Sequence, residues 1–142
     1  KTAYKQALKA IRNGANVNYQ NNAGVTPLIN AVNNEHTQLV KLLIDRGANP
    51  LLSIYSSGEN ALHRASATGN THIVKYILIY GKCDPRIKCK KGKMAVHETY
   101  ENGVRKLGRR FLETEKFLRK ATEVVIRAEE DVIRFRRISM TV

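Results

Sequence analysis

Three observations predict an all-α solenoid of stacked repeats that ends in a separate C-terminal helical extension. The first is a self-match. Gly58 to Gly81 (GENALHRASATGNTHIVKYILIYG) lies on Gly24 to Gly47 when shifted back 34 residues, and on Gly92 to Glu115 when shifted forward by the same step. The second is that apolar residues coincide in the three copies: Leu28, Leu62 and Val96; Leu39, Ile73 and Leu107; Leu43, Ile77 and Phe111. A fixed period with coincident apolar positions means units that bury their faces on one another. The third is a lost stop signal. Glu115 stands where Gly47 and Gly81 stand, so the last helix is expected to run on.

Each element follows in chain order. Residues 3 to 12 (AYKQALKAIR) place Ala7, Leu8 and Ile11 on one helical face, and Gly14 follows as a stop. In the first full unit Thr26 can cap a short helix with Pro27 at its first position. Leu28, Ala31 and Val32 form its inner side. A second helix over His36 to Asp45 turns Leu39, Val40, Leu43 and Ile44 inward, and Gly47 closes it. The next unit repeats this plan to Gly81. The third is degraded: Met94-Ala95 replaces Thr-Pro, Thr99 replaces Ala, and Gly108 replaces the valine of the second helix.

Beyond it, Leu107, Phe111, Thr114, Leu118, Ala121, Val125, Ala128, Val132 and Phe135 recur at spacings of three and four, a heptad seam. Phe117, Val124, Ile126 and Ile133 widen the stripe. A wide stripe suits a helix packed on a body, so part of it is expected to fold back as a cap. The other reading is a helix that recruits a partner or self-associates.

Thr26-Pro27-Leu28-Ile29-Asn30-Ala31 and Asn60-Ala61-Leu62-His63-Arg64-Ala65 resemble the ankyrin T-P-L-H-x-A signature, and Gly47-Ala48-Asn49-Pro50 resembles the motif that closes each ankyrin repeat. The resemblance covers about residues 3–115. It implies an ankyrin-repeat domain over 1–115, with a partial repeat at 1–20 and repeats at about 21–54, 55–88 and 89–115. Residues 116–142 are then a non-ankyrin extension. Departures from the pattern are Glu35, in place of the glycine usual between the two helices, and the degraded third unit. The resemblance further implies β-hairpin fingers between units, and a structural His63 whose ring bonds loop backbone.

Ankyrin partners usually meet the fingers and the exposed side of the first helices. By position these are Asn22, Ala23, Val25, Asn33 and Asn34; Ser56, Ser57, Glu59, Ala67 and Thr68; and Lys90, Lys91, Lys93, Glu101 and Asn102. The implied function is a non-enzymatic interaction scaffold or adaptor.

Charge sharpens the partner. The 142-residue chain carries +13. Residues 1–81 hold eight Lys/Arg against three acids, and residues 82–142 hold seventeen against nine. The densest run is Lys82 to Lys93, where Lys82, Arg86, Lys88, Lys90, Lys91 and Lys93 face Asp84 alone. Such a run reads as a solvated loop or as an anchor for an acidic protein surface. The alternative is an anion-binding module for RNA or anionic lipid head groups. Base stacking needs exposed aromatics, and this finger has none; Tyr55 and Tyr100 are the nearest.

Other chemistry is not indicated. There is no phosphate-binding glycine loop, G-x-S-x-G, carboxylate dyad or paired metal ligands, so no catalysis, cofactor or metal is expected. Cys83 and Cys89 read as free thiols of a reducing compartment, cytoplasmic or nuclear. No apolar run is long enough for a transmembrane helix. Arg136-Arg137-Ile138-Ser139 matches a basophilic kinase pattern with Ser139 as the phosphosite, and Met140-Thr141-Val142 would suit a PDZ ligand only at a native terminus. Lys1 is not an initiator Met, so the chain is expected to be a piece of a longer protein.

Overall fold

The computed structural model describes residues 2–99 and 109–140. Among these residues the helices are, in order, α1 Thr2–Arg12, α2 Pro27–Asn33, α3 Thr37–Asp45, α4 Ala61–Thr68, α5 Thr71–Ile79 and α6 Arg109–Met140. Residues 95–99 are also helical, at the edge of the described segment.

The 34-residue step is visible in the packing. α2 lies on α4, and α1, α3, α5 and α6 follow one another in a second row. Short and longer helices thus form two parallel files, and the core is a strip between them. Leu28, Val32, Val40 and Leu43 fill it in the first full unit, and Leu62, Ile73, Val74 and Ile77 in the next. Ala95, Val96 and Leu118 close it. Phe111 is buried in the place of Leu43 and Ile77, so α6 opens as the second helix of a third unit.

Side-chain caps start the helices where the sequence offers an acceptor. Thr26 Oγ1 accepts from the Ile29 amide at 3.1 Å. Asn60 Oδ1 accepts from Leu62 and His63, at 3.0 and 3.1 Å. Asn70 Oδ1 accepts from Ile73 at 3.2 Å.

The turn inside each pair needs a left-handed residue. Gly69 supplies it at φ 70° after α4, and Glu35 takes the same region at φ 55° after α2. The departure at Glu35 therefore leaves the turn's geometry intact, at a cost of about 1–2 kcal/mol of backbone strain. At Gly69 a second demand applies. A Cβ there would stand 3.0 Å from the Phe111 ring, so glycine also admits the first buried side chain of α6.

Two expectations are revised. Gly81 does not take the left-handed stop that Gly47 takes at φ 86°; Lys82 does, at φ 52°. Tyr80 remains α-helical, and the Gly81 Cα lies so near the Ile77 carbonyl that a Cβ would meet it at 2.5 Å. Glycine serves closeness there, and the reversal falls one residue later. The fingers, too, are minimal hairpins. Asn21 donates to Val25 at 3.1 Å, Ile54 to Glu59 at 2.9 Å and Cys89 to Lys93 at 2.9 Å. Among the described residues the sole β-bridge is Ser53 with Asn60.

Adjacent fingers are stitched by backbone. The Tyr55 amide donates to Ala23 at 3.0 Å, and the Lys90 amide to Ser57 at 2.9 Å. At Gly58 (φ 70°) a Cβ would fall 2.9 Å from the Lys90 nitrogen, so only glycine lets the third finger approach.

α6 runs through Glu115 without a break. Its first part is a cap: Phe111, Thr114 and Leu118 are buried against α4 and α5. The Thr114 hydroxyl donates to the Gly69 carbonyl at 3.0 Å and accepts from the Thr71 hydroxyl at 2.7 Å. From Ile126 to Met140 every residue is exposed, Phe135 at 72% and Met140 at 88%. The seam is therefore continuous in sequence but covered only at its start.

Candidate functional site

The predicted contact residues lie in the fingers and towards the ends of α2 and α4, and the described ones fall into two groups. Asn22, Asn33, Asn34, Lys90 and Lys91 are exposed. Val25, Ser57, Glu59, Ala67, Thr68 and Lys93 are half-buried. Glu101 and Asn102 lie outside the described residues, as do Tyr100, Leu107, Gly108 and Val142.

Several half-buried members serve the fold. Val25 packs on the core. The Ser57 hydroxyl accepts from the Glu59 amide at 3.2 Å. The Thr68 hydroxyl turns back to the Ala65 carbonyl at 2.8 Å. The Lys93 carbonyl accepts from His63 Nε2 at 3.0 Å, so the signature histidine ties α4 to the third finger, as the resemblance implied. His63 is 1% exposed and its Nδ1 accepts from the Asn60 amide at 3.4 Å. His97 repeats this local bond: its Nδ1 accepts from the Met94 amide at 3.0 Å.

Exposed Asn33 and half-buried Glu59 are engaged through Arg64. Arg64 Nε donates to Asn33 Oδ1 at 2.9 Å, and its Nη1 meets Glu59 at 3.1 Å. Asn33, Arg64 and Glu59 thus form a polar line from one repeat to the next. Arg64 was missed in the sequence. Its signal was the variable x of the T-P-L-H-x-A signature, a position that points away from the core.

The basic run is not uniformly available. Arg86 is committed: it meets Asp84 at 2.7 Å and Glu129 of α6 at 2.6 Å. Its hydrogen bonds hold both carboxyls below their ordinary range and raise its own pKa. The Lys90 ammonium donates to the Tyr55 carbonyl of the preceding finger, while the side chain remains exposed. Lys82, Lys88 and Lys91 are also exposed. The third finger therefore presents Lys88, Lys90 and Lys91 to solvent beside Tyr55, which is 55% exposed.

Cys83 and Cys89 are free and buried. Burial, with the nearby Asp84 charge, pushes the Cys83 thiol up to about 12. A thiol so raised is a poor nucleophile at neutral pH. Among the described residues no cluster of His, Cys, Asp or Glu could hold a metal ion, and no helix is long and apolar enough to cross a membrane. Ser139 is exposed, with its hydroxyl turned to the Phe135 carbonyl at 3.0 Å.

Comparison with known proteins gives the same reading of the fold. Over 76 residues the chain is 40% identical to BRCA1-associated RING domain protein 1 of Caenorhabditis elegans, which is 54% of this chain and 11% of that protein. Over 80 residues it is 39% identical to the ankyrin repeat protein L92 of Acanthamoeba polyphaga mimivirus, 56% of this chain and 19% of that one. The chain thus spans only a small part of each relative. A family description of ankyrin repeats, in three copies, matches residues 2–89. With the two files of helices, the stitched fingers and this match over more than half its length, the chain belongs to the ankyrin-repeat family.

Proposed function

We propose that this chain is a non-catalytic interaction module that holds an acidic protein surface along its finger edge, with the third finger as electrostatic anchor. Ankyrin repeats generally mediate protein–protein interaction. The acidic character of the partner rests on one observation. Lys88, Lys90 and Lys91 stand exposed together on the third finger, whereas the exposed Asn22, Asn33 and Asn34 of the first unit are neutral. Like-signed charge at one end of a polar edge steers and orients a partner of opposite sign more than it adds affinity.

The experiment is affinity capture with the chain and with a Lys88→Glu, Lys90→Glu, Lys91→Glu variant. Capture of acidic proteins that falls roughly tenfold or more in the variant supports the reading. Unchanged capture removes the finger from it. Filter binding of RNA and flotation with phosphatidylserine vesicles, each at low and high salt, test the anion-binding alternative. Retention that falls steeply with salt would favour that alternative.

A further inference from the structure

A groove with a cavity volume of about 360 Å³ lies between the end of α5, the loop at 83–85 and the middle of α6. Its walls are apolar: Leu78, Ile79, Pro85, Phe117, Ala121 and Val124. Ile79 is 61% exposed and Val124 58% exposed, so these walls face water. The volume falls within the ~300–1,000 Å³ common to ligand sites.

The charges on the rim say what fits. Lys120 lines the groove, and the Lys75 ammonium sits 5.2 Å over the Phe117 ring. Asp84 and Glu129 share the one Arg86 guanidinium, which leaves that cluster a single negative charge. Lys75 and Lys120 outnumber it, so the rim is positive around an apolar floor. We propose that this groove docks a short amphipathic helix of a partner protein, whose apolar edge is flanked by carboxylates. Apolar side chains at i and i+3 or i+4 would enter between Ile79 and Val124, and flanking Asp or Glu would meet Lys75 and Lys120.

A second copy of this chain is the poorer occupant. Its uncovered apolar stretch is the end of α6, with Val132, Ile133, Phe135 and Ile138. Arg134, Arg136 and Arg137 are interleaved there and outnumber Glu130 and Asp131 at its start, so they would bring like charge to Lys75 and Lys120. The groove is also separate from the finger edge, so its test does not depend on the anchor proposed above.

The test is selection of a random phage-displayed peptide library on the full chain. Substitutions at two exposed positions report on the groove. Val124→Arg fills it, and Lys120→Glu reverses its rim. Unchanged melting of both variants establishes that the array is intact. The expected peptides carry two apolar residues at i, i+3 or i, i+4 with Asp or Glu on either side. Their binding falls roughly tenfold or more on each variant and is unchanged by reversal of Lys88, Lys90 and Lys91. No enrichment, or enriched peptides indifferent to Val124→Arg, overturns the proposal. Peptides lost on Val124→Arg but indifferent to Lys120→Glu overturn the acidic flanks. A mass by light scattering that doubles with concentration and is halved by Val124→Arg assigns the groove to a second copy, and overturns it too.

Discussion

Arg86 and Glu129 face each other as a fork on a fork. Nη1 and Nη2 of the guanidinium donate to the two carboxylate oxygens at 2.6 and 2.8 Å. The pair joins the loop after the second full unit to a helix 43 positions further along the chain. Asp84 holds the same guanidinium from the loop side, so the three groups act as one clip.

The clip predicts a pH dependence. Hydrogen bonds from Arg86 lower both carboxyls, and a lowered folded pKa stabilises above the unfolded pKa and fades as pH falls through the folded one. Carboxyl NMR titration should place Glu129 below its ordinary 4.5 and Asp84 below its ordinary 3.8. Arg86→Ala should return both to those values. Amide protection in α6 near Glu129 should weaken in acid, below the ordinary range. A Glu129 midpoint already at 4.5 in the unsubstituted chain would mean that the clip does not form in solution.

The two parts of α6 should answer differently to truncation. Leu118 is fully buried, and Leu118→Ala is expected to lower the unfolding free energy by about 2–5 kcal/mol. Phe135 is 72% exposed, and Phe135→Ala should change it by no more than about 0.5 kcal/mol. Urea unfolding followed by circular dichroism measures both. Equal effects would contradict a cap that ends near Val125.

Asn60 offers a stabilising change. Its Nδ2 is buried and lacks a hydrogen-bond partner, while the equivalent residue one repeat earlier, Thr26, caps through a single hydroxyl and carries no amide nitrogen. Asn60→Thr keeps a capping oxygen and removes the orphan amide nitrogen. A gain of about 1 kcal/mol is expected in the same urea assay. A loss instead would show that the double cap on Leu62 and His63 outweighs the stranded amide.

What was legible in the sequence follows from what repeats. Periodicity placed the helices and the core strip, because Leu28 and Leu62 occupy equivalent surroundings. The run-on at Glu115 was legible from a missing glycine. The left-handed residue at Lys82 was not, since the 34-residue step puts the stop at Gly81 and takes no account of the Ile77 carbonyl. Contacts made once in the molecule left no period to find. Arg86 with Glu129 and the groove between Ile79, Pro85 and Val124 depend on how α6 docks, which no pattern in the chain encodes. The finger residues were found by position, but position did not reveal that Glu59 is paired or that Lys90 reaches back to Tyr55.

The uneven burial of α6 bears on how its exposed end becomes ordered. Starting a helix in water is improbable, with a nucleation factor of about 10⁻³, whereas adding a residue to an existing turn is close to neutral. The turns at Phe111, Thr114 and Leu118 are ordered by tertiary contact, so the stretch from Val132 to Met140 inherits a seed and need only elongate. Order at Phe135 is then a remote readout of docking at Leu118. Cut from that seed, the same residues would return to coil, and with them the spacing that sets Ser139 one turn beyond Phe135.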